Sequence, residues 1–170
     1  MKKKANNMVI AQSGGPSMVI NASLVGAVLA AKKAGAKIGK ILGARHGIQG
    51  ILGRDYIDLR KPTAKKLEAI ALTPSSALGS CRMKPTADDC RKIFEEFKRL
   101  DVGFFFYIGG NDSMDTVNKL SAYFASVGCP IRVMGVPKTI DNDLPLMDHT
   151  PGFGSAAKFI ATSMAEIIRD

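Results

Sequence analysis

At 170 residues and 46% hydrophobic, the chain is long enough to bury one substantial core, so a single domain is expected. No apolar stretch reaches the length of a membrane span, and the basic start at residues 1–4 runs into Asn6 and Asn7 rather than a continuous apolar segment, which favours a cytoplasmic protein without a signal peptide. The net charge of +9 suits a nucleic acid or a phosphorylated small molecule, but the lack of Trp, the 6% aromatic content and the lack of a Lys/Arg run beyond residue 4 argue against nucleic acid.

The charge is unevenly spread: residues 1–100 hold 19 of the 24 Lys and Arg against 7 of the 15 acids, whereas residues 101–170 hold 5 bases and 8 acids. Cys81, Cys90 and Cys129 cannot all pair and form no CxxC or Cys/His set, so reduced thiols without metal or redox chemistry are expected.

Residues 8–12 read as a short strand, followed by the turn Ser13-Gly14-Gly15-Pro16-Ser17 and a helix over 21–34. Strand, glycine turn, helix aims backbone N–H groups at an anion, and glycine lets the backbone approach it closely. A second strand is expected over 37–44, then a loop at 45–50 in which His46 is a surface or capping group rather than a catalyst. Residues 63–72 read as a helix. Residues 74–82 read as a polar loop ending in Arg82, a combination compatible with phosphate binding.

An amphipathic helix is expected over 86–100, opened by a capping box of Thr86 and Asp89 and burying Cys90, Ile93, Phe94, Phe97 and Leu100. The apolar run Gly103-Phe104-Phe105-Phe106-Tyr107-Ile108 has the length and character of a central parallel strand. Gly109-Gly110-Asn111-Asp112-Ser113 then repeats the glycine turn with an acid in it, before a helix over 114–127. A strand over 131–136 leads into residues 135–145, GVPKTIDNDLP, where two prolines stiffen a segment carrying Lys138, Thr139, Asp141 and Asp143. Thr150 and Pro151 look like the N-cap and first residue of a last helix, with Phe159, Ile160, Met164, Ile167 and Ile168 available for packing.

Alternating strands and helices predict an α/β fold, a parallel-sheet three-layer sandwich of Rossmann-like type. Ligands of such sheets lie beyond the carboxyl ends of the strands. The Gly14-Gly15, Gly109-Gly110 and 137–145 loops all fall on that edge, which points to a polyphosphate site with carboxylates at its mouth.

Gly14-Gly15, Leu78-Gly79-Ser80-Cys81-Arg82, Gly109-Gly110-Asn111-Asp112-Ser113, Pro137-Lys138-Thr139-Ile140-Asp141-Asn142-Asp143 and Thr150-Pro151-Gly152-Phe153 resemble, in order and spacing, the N-terminal domain of the phosphofructokinases. The resemblance implies transfer of a phosphoryl group to the 1-hydroxyl of fructose 6-phosphate with Mg2+, and a homo-oligomer, dimer or tetramer, for the full-length protein. It further implies that residues 1–170 are the phosphoryl-donor-binding domain and that a second half supplies most contacts to the sugar phosphate, so the chain alone is expected to have little or no turnover.

Carried over motif by motif, the catalytic residues are Asp141, which resembles the general base, Arg82, which resembles the arginine that neutralises the transferring group, and Lys138. Gly14, Gly15, Gly110, Asp112 and Ser113 resemble the donor-phosphate contacts, and Thr139, Asp141 and Asp143 the sugar contacts. Asn111 and Asp112 stand at the metal position, where the family usually has an acid in place of Asn111. Asp112 and Lys138 resemble the pyrophosphate-using members, since Asp112 puts bulk and negative charge where a nucleotide α-phosphate would lie and Lys138 offers a cation to a second phosphate. The donor is therefore expected to be pyrophosphate. An ATP-dependent enzyme of the same family and a non-catalytic anion-binding or regulatory module are the alternatives.

Overall fold

The computed structural model describes residues 6–170, so the basic start at residues 1–4 lies outside the described residues. Five strands, β1 (Asn6–Gln12), β2 (Ile38–Ala44), β3 (Tyr56–Asp58), β4 (Val102–Gly109) and β5 (Arg132–Pro137), form one sheet in the order β3-β2-β1-β4-β5. The helices are α1 (Met18–Lys33), α2 (Gly47–Leu52), α3 (Ala64–Leu72), α4 (Ala87–Arg99), α5 (Asn111–Ser126) and α6 (Phe153–Arg169).

Side-chain alternation along the strands builds two cores. Val9, Ala11, Phe105 and Tyr107 face a layer made by α2, α4 and α5, where Phe97 and Phe105 meet with ring centroids 5.1 Å apart. Met8, Ile10 and Ile108 face the other way, onto Ile20, Leu24, Val25 and Val28 of α1 and Leu67 of α3. The expected three layers are present, and each fully buried large apolar side chain contributes about 1.5–3 kcal/mol. Cys81, Cys90 and Cys129 are free thiols, the first two buried.

Several details differ from the sequence reading. The sheet is parallel from β2 through β1 and β4 to β5, but β3 pairs antiparallel with β2; at three residues it is too short for any periodicity to reveal. The loop expected at 45–50 gives way to α2, because Ile48 and Ile51, three apart, both drop fully into the core. His46 caps this helix in the left-handed conformation, φ 55°.

Helix α5 begins at Asn111 rather than Met114, since the Gly110 carbonyl already accepts from the amides of Ser113 (2.9 Å) and Met114 (3.1 Å). The last helix is capped by Gly152, not Thr150; Thr150 Oγ1 instead donates to the Thr139 carbonyl at 3.1 Å. The residues of α6 expected to pack are exposed, Phe159 and Ile168 among them.

Helix α4 starts as expected, with the reciprocal cap of Thr86 and Asp89 in place. On its inner side Glu96, buried at 5% exposure, pairs with Arg99 at 2.6 Å and with Arg54 at 3.1 Å, and lies beside the Tyr56 hydroxyl. The hydrogen bond from Arg99 leads in holding the Glu96 carboxyl below its usual range, while burial opposes it. A depressed carboxyl pKa stabilises the fold above the unfolded value of about 4.5 and ceases to do so as pH falls through the native value. Glu96→Gln is expected to cost about 1–2 kcal/mol at neutral pH, less than a fully buried pair because both arginines are half exposed or more. Urea unfolding at pH 7 and pH 4 should show the difference between variant and wild type shrinking in acid.

Candidate active site

Parallel pairing sets three loops side by side. Gln12 lies opposite Ile108, Ile108 opposite Val136, and Gly109 opposite Pro137, so β1, β4 and β5 end level with one another. The ladder continues one step past the strands, with the Ser13 amide donating to the Ile108 carbonyl at 2.8 Å and the Lys138 amide to the Gly109 carbonyl at 3.0 Å. At this level Gly109 lets α5 approach closely: a Cβ there would stand 2.1 Å from Ser113 Oγ. The Ser13 and Ser113 hydroxyls meet at 2.5 Å across the gap.

The segment carrying Arg82 has no regular structure, yet it is firmly held. Buried Gln12 accepts at Oε1 from the Leu78 amide and the Ser76 hydroxyl, both at 2.8 Å, while its amide group donates to Asn21 Oδ1 (3.1 Å) and the Ile20 carbonyl (3.0 Å). Asn21 Oδ1 also accepts from the Ala77 amide at 2.8 Å. Further along, Ser80 Oγ donates to the Gly14 carbonyl at 2.5 Å and the Gly14 amide to the Cys81 carbonyl at 3.2 Å. The glycine turn and the arginine loop are thus stitched together, and Gly14 adopts φ +75° to permit it.

These elements enclose a cavity of about 420 Å³ lined by Gly14, Gly15, Arg82, Gly110, Asn111, Asp112, Ser113, Lys138, Thr139 and Asp141. Every site residue expected from the sequence lies on its wall except Asp143, which is exposed and accepts a hydrogen bond from Asn111 Nδ2 at 2.7 Å. Lys138 is buried and its ammonium donates to the Gly15 carbonyl, fastening the third loop to the first. Burial chiefly, and then repulsion from Arg82, lowers its pKa, while Asp141 pulls the other way. The Asp141 amide donates to Thr139 Oγ1 at 3.0 Å, and Thr139 itself pairs with Gly152 in a short parallel bridge.

Sequence reading missed several wall residues, among them Ser13, Lys84 and Tyr107. The buried Tyr107 hydroxyl, its pKa raised mainly by burial, sits with Ser13 and Cys81 at one wall. Tyr107 lay within an apolar run that read as core. Lys84 had a signal, a second cation two residues beyond Arg82.

The fold and the cavity define an α/β domain with a basic, anion-sized site at the carboxyl edge of its sheet. Residues 7–170 match the family model described as phosphofructokinase, and the chain belongs to that family. It is 48% identical over 163 residues to the pyrophosphate–fructose 6-phosphate 1-phosphotransferase of Rhodospirillum rubrum, covering 96% of this chain and 40% of the relative. It is 43% identical to the protein of the same name from Methylococcus capsulatus, covering 95% and 40% respectively. The crystal structure of the pyrophosphate-dependent phosphofructokinase from Nitrosospira multiformis superposes with a TM-score of 0.91 at 48% identity, over 95% of this chain and 41% of that one. The chain therefore spans about two fifths of the length of the relatives it matches.

Because Gln12 carries so many of the bonds that hold the arginine loop, Gln12→Leu should destabilise the protein by about 2–4 kcal/mol, chiefly through the Leu78 amide and Ile20 carbonyl that lose their side-chain partner. Urea unfolding measures this, and a loss under 1 kcal/mol would show that the loop is held by something else.

Proposed function

We propose that this chain is the phosphoryl-donor half of a pyrophosphate-dependent phosphofructokinase, transferring a phosphoryl group from pyrophosphate to the 1-hydroxyl of fructose 6-phosphate. The observation that carries the reading is the convergence of Gly14-Gly15, Gly110-Asn111-Asp112 and Lys138–Asp141 on one cavity. The names of the relatives support the donor and the acceptor.

Phosphoryl transfer needs positioning and charge neutralisation more than covalent help from the protein. In this reading the glycine turn and the start of α5 cradle the phosphates with backbone amides, and Arg82 and Lys138 balance the charge that develops on the transferring group. Asp141 takes the proton of the 1-hydroxyl as its oxygen bonds to the terminal phosphorus. The bridging P–O bond breaks at the same centre, and orthophosphate leaves carrying that electron pair. Thr139, hydrogen-bonded to the Asp141 amide, holds the loop that presents the carboxylate.

Mg2+ fits the donor set, since it characteristically takes one or two carboxylates together with substrate phosphates and water. Asp141 is a carboxylate on the cavity wall and Asn111 adds an amide oxygen, whereas Asp112 is already engaged by Lys84 at 2.9 Å, and no cluster of three or more His, Cys, Asp or Glu able to hold a metal occurs among the described residues. When bound, the ion would neutralise and orient the phosphates. Asp143, hydrogen-bonded to Asn111, would orient that amide or reach the sugar.

Pyrophosphate is favoured over ATP by Asp112, an exposed carboxylate on the cavity wall that a nucleoside-bearing phosphate would have to pass, and by Lys138, a cation available to the second phosphate. The full-length protein should convert fructose 6-phosphate with pyrophosphate and not with ATP. Asp141→Asn should lower kcat about 10²–10⁴-fold with the fold intact. Turnover with ATP alone, or an unaffected Asp141→Asn variant, would overturn the reading.

A further inference from the structure

We propose that Lys84 is a further donor-binding and specificity residue, acting with Asp112 as a charged strut across one side of the cavity; this rests on the pyrophosphate reading above. Lys84 Nζ lies 2.9 Å from Asp112 Oδ1, and both residues line the cavity.

The two side chains of the strut are well exposed, 60% for Lys84 and 76% for Asp112, but the backbone at each end is held. Lys84 immediately precedes Pro85, which is buried, and stands two residues before Thr86, the N-cap whose reciprocal bonds with Asp89 lock the start of α4. Asp112 is the second residue of α5, held by the hydrogen bonds that open that helix. An ion pair between two loose side chains at a surface has little consequence, because each is as well solvated apart. Here the pair joins the residue two before the N-cap of α4 to the first turn of α5, beside a cavity that accepts a multiply charged anion, so its consequence is for what enters rather than for stability.

Charge balance shows why. The cavity wall carries Arg82, Lys84 and Lys138 against Asp112 and Asp141, a single net positive charge. Removing Lys84 leaves the wall neutral and exposes the Asp112 carboxylate to the incoming phosphates, which it repels. With Lys84 present, Asp112 keeps its bulk, the feature that obstructs a nucleoside-bearing donor, while its charge is balanced towards a bare pyrophosphate. Lys84 therefore lets the acid act as a barrier to one donor without becoming a barrier to the other.

Steady-state kinetics of the full-length protein tests this through the split between the two substrates. Lys84→Met should raise the KM for pyrophosphate about tenfold and leave the KM for fructose 6-phosphate within about twofold, with Lys84→Arg close to wild type. Adding Asp112→Gly to Lys84→Met should recover part of the pyrophosphate KM, because the unbalanced carboxylate is gone. A pyrophosphate KM within twofold of wild type in Lys84→Met, equal effects on both substrates, or effects of the two substitutions that simply multiply would overturn the proposal. A wild-type protein that works with ATP and not pyrophosphate removes the reading of the site and this inference together. A wild-type protein that uses pyrophosphate beside an unaffected Lys84→Met removes the inference alone.

Discussion

The site depends on the parallel register of β1, β4 and β5. With β4 between the other two and all three ending on the same row, the residues that follow each strand are adjacent whatever their distance in sequence. Ser13, Gly110 and Lys138 are set within reach of one another by main-chain bonds alone, before any side chain contributes. A register slip of one residue would turn each strand's side chains to the opposite face. Both faces of β1 and β4 are packed against helices, so such a slip is strongly opposed there, whereas β5 leaves Met134 exposed on one face.

Upon that frame the molecule gathers charges that would repel in the absence of an anion. Lys138 is buried with its ammonium on the Gly15 carbonyl, and the Arg82 guanidinium lies near enough to depress its pKa. Asp141 offsets part of the repulsion. Burying a cation beside another cation is unfavourable for folding, and a bound phosphate reverses the sign of that interaction. The buried Gln12 and Asn21 network keeps the arginine loop from relaxing away from the cluster. Local destabilisation of this kind is what a preorganised anion site needs, because the donors need not reorient when the ligand arrives.

Much of this was legible in the sequence. The apolar runs marked β1, β4 and β5, the Thr86–Asp89 pair marked the start of α4, and the glycine turns marked the carboxyl edge. What escaped depended on tertiary partners. The pair Ile48 and Ile51 makes a helix only because a core awaits it, and β3 exists only because β2 offers an edge. Ser13 gains meaning from Ser113, a hundred residues away, and Lys84 from Asp112. Apolar periodicity in α6 suggested packing, yet Phe159, Ile160 and Met164 are exposed among the described residues, since a periodic pattern states which face is apolar but not what covers it.

The most direct measurement is a crystal structure of the protein grown with pyrophosphate and Mg2+. Both phosphates should lie in the cavity between the Gly14-Gly15 turn and the start of α5, with Lys138 and Arg82 within hydrogen-bonding distance of phosphate oxygens. Pyrophosphate bound elsewhere on the surface, with Lys138 still directed only at the Gly15 carbonyl, would contradict this.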